Sequence, residues 1–164
     1  MNRVTMVQRF LAGGTEDLCQ GVTYTYGTNT ANFSYNRLLT AAYGSGSTCA
    51  GYGSVTIPSF TETYSYNAPG SVTNKTVTSS ALGSTLPASV TYSYDTFGRN
   101  TSVQYPFYSP SSPTTFTTAY DAMGRPNSLT DSTSVTWVQN VAYDYAGRAA
   151  AEHSVPQHHQ DARL

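Results

Sequence analysis

The residues of this chain equipped for chemistry are few: His153, His158 and His159, Cys19 and Cys49, the single lysine Lys75, and three aspartates in repeated surroundings, Asp95, Asp121 and Asp144. The histidines have no cysteine partner and lack the i, i+4 spacing that sets two imidazoles on one helix face, so they read as a polar tail and not as metal ligands. Calcium needs several oxygens converging on one point, whereas each aspartate segment supplies one carboxylate. A serine nucleophile needs a strained elbow and a positioned histidine. Gly-x-Ser-x-Gly is absent, and Gly44-Ser45-Gly46-Ser47 reads as a low-complexity loop in which Gly44 is expected to tolerate alanine. No glycine-rich phosphate loop leads into Lys75. Catalytic, metal and cofactor-binding residues are therefore not assigned, and the chain is expected not to be an enzyme. Cys19 and Cys49 are too few for a disulfide framework and too far apart for a zinc knuckle or redox pair. One disulfide between them is allowed. Sequence is silent on Cα separation, so a disulfide is not implied, the plainer reading is two unpaired or incidental cysteines, and whether they are bonded stays open.

The aspartates recur in a pattern. Tyr94-Asp95-Thr96-Phe97-Gly98-Arg99, Tyr120-Asp121-Ala122-Met123-Gly124-Arg125 and Tyr143-Asp144-Tyr145-Ala146-Gly147-Arg148 align without gaps, 26 and then 23 residues apart (Asp95 to Asp121 to Asp144). Aspartate opens a type I turn because its carboxylate accepts a backbone N–H two residues on, and glycine three positions later takes positive φ without steric cost. Asp-x-x-Gly therefore closes a hairpin, of the kind in which a left-handed residue forms a bulge. Arg99 and its counterparts have two uses beyond solvation: lying over a neighbouring tyrosine ring, or pairing with the aspartate of an adjacent hairpin.

The strands that must carry these turns are visible as a period of two. Val90, Tyr92 and Tyr94 alternate with Thr91 and Ser93, Phe116, Thr118 and Tyr120 follow the same scheme, and so do Tyr64 and Tyr66. After each glycine the chain returns as a second β-compatible run, with Pro126 restricting one of them to an edge or a bulge. A weaker copy, Tyr64-Ser65-Tyr66-Asn67-Ala68-Pro69-Gly70-Ser71, has Asn for Asp and Ser for Arg. A more doubtful fifth starts at Val22-Thr23-Tyr24-Thr25-Tyr26-Gly27 and resumes at Asn36-Arg37-Leu38 after a longer polar tip. Composition agrees: 14 tyrosines supply apolar area that the aliphatic residues do not, and Thr and Ser dominate the rest. Segments 44–48, 79–84 and 109–113 read as loops.

Only 10% of residues are charged and the net charge is -1, which gives no electrostatic case for nucleic acid or an anionic membrane. No run of about 18 to 20 apolar residues is present to span a bilayer, and residues 1–12 make a poor signal peptide, interrupted at Gln8 and Arg9. The expected organisation is an irregular segment over 1–20, four to five hairpin units over 21–150 and a polar tail over 151–164. The expected fold class is all-β, tandem antiparallel β-hairpin repeats forming a curved or spiralling sheet.

The Tyr-Asp-x-x-Gly-Arg units, with an aromatic residue two positions upstream as in Tyr92 and Tyr94, resemble the YD repeats of Rhs proteins, of the shell components of insecticidal Tc toxin complexes, and of teneurins. The resemblance covers about residues 20–150. It implies hairpins laid side by side into a hollow shell that often encloses a polypeptide toxin. It also implies an architectural role for Tyr94, Asp95, Gly98 and Arg99, for Tyr120, Asp121, Gly124 and Arg125, and for Tyr143, Asp144, Gly147 and Arg148. The implied partners are further repeats of a larger chain or an encapsulated polypeptide, and the implied location is secreted or at the cell surface. The chain departs from the family in size and carries neither the Asp-Pro segment that ends the Rhs core nor a toxin-like domain, so it reads as a short, truncated piece. A competing reading is a carbohydrate or cell-surface binding module, because exposed tyrosine rings stack on sugar faces. Buried rings favour the scaffold and solvent-lining rings favour the binder.

Overall fold

The alternation of large and small side chains produces strands throughout. A computed structural model describes residues 2–49, 53–81, 88–106 and 113–154, with backbone alone for 151–154. All of its regular elements are strands: β1 (Met6–Val7), β2 (Val22–Tyr26), β3 (Leu38–Tyr43), β4 (Ser47–Thr48), β5 (Thr56–Ile57), β6 (Phe60–Tyr66), β7 (Val72–Ser79), β8 (Ala88–Tyr94), β9 (Asn100–Gln104), β10 (Thr115–Tyr120), β11 (Pro126–Asp131), β12 (Thr136–Tyr143) and β13 (Ala149–Ser154). Eleven of them follow one antiparallel strand order, β1-β2-β3-β6-β7-β8-β9-β10-β11-β12-β13, and β4 and β5 pair separately. The fold is therefore all-β and built of antiparallel hairpins. Among the described residues no helix is long and apolar enough to cross a membrane.

Along β6 and β8 the tyrosines at 64, 66, 92 and 94 are half-buried while Thr63, Ser65, Thr91 and Ser93 are exposed, as a pleated strand requires. The chain forms two units, Met1–Tyr92 and Ser93–Leu164. In the first, β3 pairs with both β2 and β6, and β6 pairs with β7. In the second, β9, β10, β11, β12 and β13 pair in succession. Pro126 stands at a bulge, opposite Tyr120, where its missing N–H interrupts no regular ladder. The strand β13 carries the chain to Ser154, past the boundary drawn at 150, and includes His153 on its backbone; His158 and His159 lie outside the described residues.

Burial is shallow. Among the described residues the buried apolar side chains are Cys19, Ala41 and Cys49, and the most deeply buried side chain is that of Asp17, 1% exposed, whose carboxylate accepts the Cys19 N–H at 3.1 Å. Cys19 and Cys49 are joined in a disulfide with Cα atoms 6.0 Å apart, the pairing that sequence allowed but did not imply. Their thirty-residue separation concealed a spatial proximity that only the folding of the loops beside β2 and β3 creates. The Ser45 hydroxyl lies 3.2 and 3.1 Å from the two sulfurs. The expected tolerance of Gly44 is also overturned: its φ is +74°, and a Cβ there would run into the backbone carbonyl oxygen of Pro58. The stretch 44–48, read as loop, ends in β4. Residues 82–84 and 109–112 of the other two expected loops lie outside the described residues.

Candidate functional site

Three turns share one set of bonds. In each, the aspartate Oδ1 accepts two backbone N–H groups, those of Phe97 and Arg99 at Asp95, of Met123 and Arg125 at Asp121, and of Ala146 and Arg148 at Asp144, all at 2.9 Å. Oδ2 accepts the arginine Nε at 2.6, 2.8 and 2.7 Å respectively. The backbone closes beneath them, with the glycine N–H donated to the aspartate carbonyl at 3.0, 2.9 and 2.9 Å, and Gly98, Gly124 and Gly147 at φ of 79°, 80° and 76°. One carboxylate thus satisfies the open end of a hairpin and fixes the arginine that follows it. The arginine pairs with the aspartate of its own turn, not with that of an adjacent hairpin.

These bonds depress the carboxyl pKa values. At Asp121 and Asp144 the largest influence is the arginine backbone N–H, of Arg125 and Arg148. At Asp95 partial removal from water pulls upward and is the largest single influence, yet the Arg99 and Phe97 donors together leave the group lowered.

A fourth aspartate closes a turn that lacks the Tyr-Asp-x-x-Gly-Arg pattern. Asp131 accepts the N–H groups of Thr133 and Val135 at 2.8 and 3.0 Å, with Ser134 at φ 67° in the glycine position. Its Oδ2 accepts the Trp137 indole N–H at 2.9 Å, so tryptophan supplies the donor that arginine supplies elsewhere. Its pKa is lowered to about 2, chiefly by the Thr133 hydroxyl and next among the lowering groups by Trp137. The signal available in sequence was Asp-Ser-Thr-Ser-Val, which lacks glycine. Asn67 closes the turn at Gly70 with one donor shifted, since Pro69 has no N–H to give: its side-chain oxygen accepts the N–H groups of Gly70 and Ser71 at 3.0 and 2.8 Å.

The arginine's second contact reaches the next hairpin. The Arg99 guanidinium lies 4.5 Å from the centre of the Tyr120 ring, and Arg125 lies 4.2 Å from that of Tyr143. Each tyrosine hydroxyl donates to the carbonyl of the residue after the arginine: Tyr120 to Asn100 and Tyr143 to Pro126, both at 2.6 Å. The same joint occurs in the first unit, where Arg37 lies 5.4 Å from the Tyr66 ring and Tyr66 donates to Leu38 at 2.6 Å. It occurs again where Arg3 lies 4.8 Å from the Tyr26 ring and Tyr26 donates to Val4 at 3.0 Å. Tyr26, Arg37 and Tyr66 belonged to the weaker copies, and Arg3 to none. Gly27 N–H donates to Arg37 carbonyl and Asn36 takes positive φ, which sets Asn36-Arg37 in the places of Gly98-Arg99 across the long tip.

Beside this joint lies one charged network: the Lys75 ammonium is 2.9 Å from the Glu62 carboxylate, which also accepts the Tyr64 hydroxyl. The Tyr64 bond is the main cause that lowers Glu62, and burial followed by Glu62 raises Tyr64. Among the described residues the one grouping of metal-type side chains is Asp17, Cys19 and Cys49, and both its sulfurs are spent in the disulfide. On the second unit Tyr120, Leu129, Val138, Val141 and Tyr143 line a shallow open groove. Tyr105, Phe116 and Trp137 form an aromatic row, with ring centres 6.0 and 6.3 Å apart.

Fold and joint together define a class, an all-β chain of antiparallel hairpins locked to one another at their turns. Set against models of known protein families the chain matches none, and no curated protein matches it.

Proposed function

We propose that this chain is a structural segment of an Rhs or YD-type protein, a run of hairpin repeats that builds part of a β shell enclosing or presenting a polypeptide toxin or effector. In this reading it performs no catalysis, and its parent protein works outside the cell or at a cell surface. The observation that carries the reading is the arginine–tyrosine joint, met four times with the same three groups in contact: guanidinium, tyrosine and carbonyl. A device that copies itself from hairpin to hairpin serves to extend a sheet, and the half-buried face it holds together is suited to lie against a further polypeptide.

The alternative, a glycan or cell-surface binder, draws support from the exposed rings of Tyr35, Tyr105, Tyr145 and Trp137. Against it, the hydroxyls of Tyr26, Tyr66, Tyr120 and Tyr143 are already donated to backbone carbonyls and are not available to a sugar. The deciding experiment is to read the flanking DNA, express the longest natural reading frame that contains these residues, and challenge it with protease. Further Tyr-Asp-x-x-Gly-Arg units and a protease-protected polypeptide are expected. A frame without more units, together with selective binding on a glycan array, would overturn the shell in favour of the binder.

A further inference from the structure

We propose that copies of this chain join head to tail, strand β2 of one copy pairing with the outer edge of β13 of another, and Tyr26 passing from Arg3 of its own chain to Arg148 of the neighbour. Among the described residues Arg148 has everything its counterparts have except a ring. It is fixed by Asp144 through Nε at 2.7 Å, as Arg99 and Arg125 are fixed by Asp95 and Asp121. Yet its side chain is 80% exposed, against 31% for Arg99 and 29% for Arg125, each of which has a tyrosine beneath it. The strand that follows it, β13, is the last in the sheet and has no neighbour beyond it among the described residues.

The opposite end offers the missing half. Tyr26 has its ring and hydroxyl in the joint, but the strand that holds it there is the short β1, which pairs with β2 at Met6 opposite Thr23 and Val7 opposite Val22 and is extended by one bond from the Tyr24 N–H to the Thr5 carbonyl at 2.8 Å, both β1 residues being exposed. The equivalent strand in the first unit, β3, is paired with β6 from Thr40 to Tyr43. β2 itself is a well-made sheet strand: Val22-Thr23-Tyr24-Thr25-Tyr26 differs from Val90-Thr91-Tyr92-Ser93-Tyr94 of β8 only at Thr25. Strand β13 is six residues long and gives it a longer partner than β1 does.

The register fits. Extending the pairings of β1 with β2, of β3 with β6 and of β9 with β10 places the joint's tyrosine directly opposite its arginine, Tyr26 on Arg3, Tyr66 on Arg37 and Tyr120 on Arg99, while the pairing of β11 with β12, which is irregular at Leu129 and Thr130, sets Arg125 one residue away from Tyr143. Setting Tyr26 opposite Arg148 brings Thr23 opposite Ala151 and leaves the Ala149 carbonyl to accept the tyrosine hydroxyl. A net charge of -1 offers little repulsion to oppose the approach. The contact is heterologous, so nothing limits growth to a dimer.

The test is sedimentation velocity of the full chain across a concentration series, for the parent and for Arg148→Ala, Arg148→Lys and Arg3→Ala. The parent is expected to grow beyond dimer as concentration rises. Both Arg148 variants should weaken association by about two- to fivefold, the worth of one guanidinium–ring contact. Arg148→Lys keeps a charge for Asp144, so it serves where the alanine variant folds poorly. Arg3→Ala should strengthen association, because it frees Tyr26. Association that is the same in every variant would mean unspecific edge pairing and would overturn the proposal. So would a monomer at every concentration in both the parent and Arg3→Ala. Neither result touches the shell reading, which the flanking DNA decides.

Discussion

A single aspartate in these turns accepts two backbone N–H groups and one guanidinium nitrogen, and the glycine after it is forced to positive φ. Gly98→Val and Gly124→Val should both destabilise, by about 1–2 kcal/mol for the left-handed backbone. Gly124→Val should cost more, because its Cβ would stand 2.7 Å from an Arg99 guanidinium nitrogen while nothing lies within 4 Å at Gly98. Thermal melts give the comparison, and equal midpoints would mean that Arg99 leaves the joint without loss. Gly44→Ala should cost more than about 1 kcal/mol, since the atom it meets is backbone and cannot swing aside. Acid tests Asp131. Its folded pKa of about 2 lies below the ordinary 3.8, so the stability it contributes is complete above about 3.8 and is lost as pH falls through 2. Trp137 fluorescence should change near pH 2, and the change should vanish in Asp131→Asn. At this scale the sequence was legible where glycine marked the turn. It was opaque at Asp131, where Ser134 adopts a conformation its residue type does not advertise, and at Gly44, whose obstacle is a carbonyl distant in sequence.

The hairpin is the element that period-two alternation makes legible: the residues named for strands at 64–66, 90–94 and 116–120 all lie in β6, β8 and β10. What alternation does not report is which hairpin touches which. The arginine's ring partner lies on the following strand, 21 residues on for Arg99 and 18 for Arg125 (99 to 120, 125 to 143), and no fixed spacing predicts it. Arg3 carries none of the flags that mark Arg99, and the nine residues between Gly27 and Arg37 hide that joint. A double-mutant cycle measures the coupling. Arg99→Ala with Tyr120→Leu should show about 0.5–1 kcal/mol of interaction, whereas Arg125→Ala with Tyr120→Leu should be additive, since Arg125 stacks on Tyr143. Tyr120→Phe alone should cost about 1 kcal/mol for its bond to the Asn100 carbonyl. Equal coupling in both cycles would show that general packing, and not the joint, holds neighbouring hairpins.

For the whole molecule, composition was a good guide to class and a poor guide to cohesion. Few aliphatic residues and many tyrosines pointed to strands, and the result is strands with half-buried faces, the buried apolar side chains among the described residues being those of the disulfide and Ala41. The covalent bond therefore carries weight that a core would otherwise carry, and it lies wholly in the first unit. Closing a loop of thirty residues restricts the unfolded chain by about 3–4 kcal/mol on the chain-entropy account. The single tryptophan, Trp137, lies in the second unit and reports on it alone. Reduction by a dithiol should therefore lower the midpoint seen by far-ultraviolet circular dichroism, which averages over both units, while the midpoint seen by Trp137 fluorescence stays where it was. Cys19→Ala with Cys49→Ala should reproduce the effect without reductant. If the two midpoints fall together by the same amount, the units unfold as one, and the disulfide stabilises hairpins far along the chain from the loops it joins.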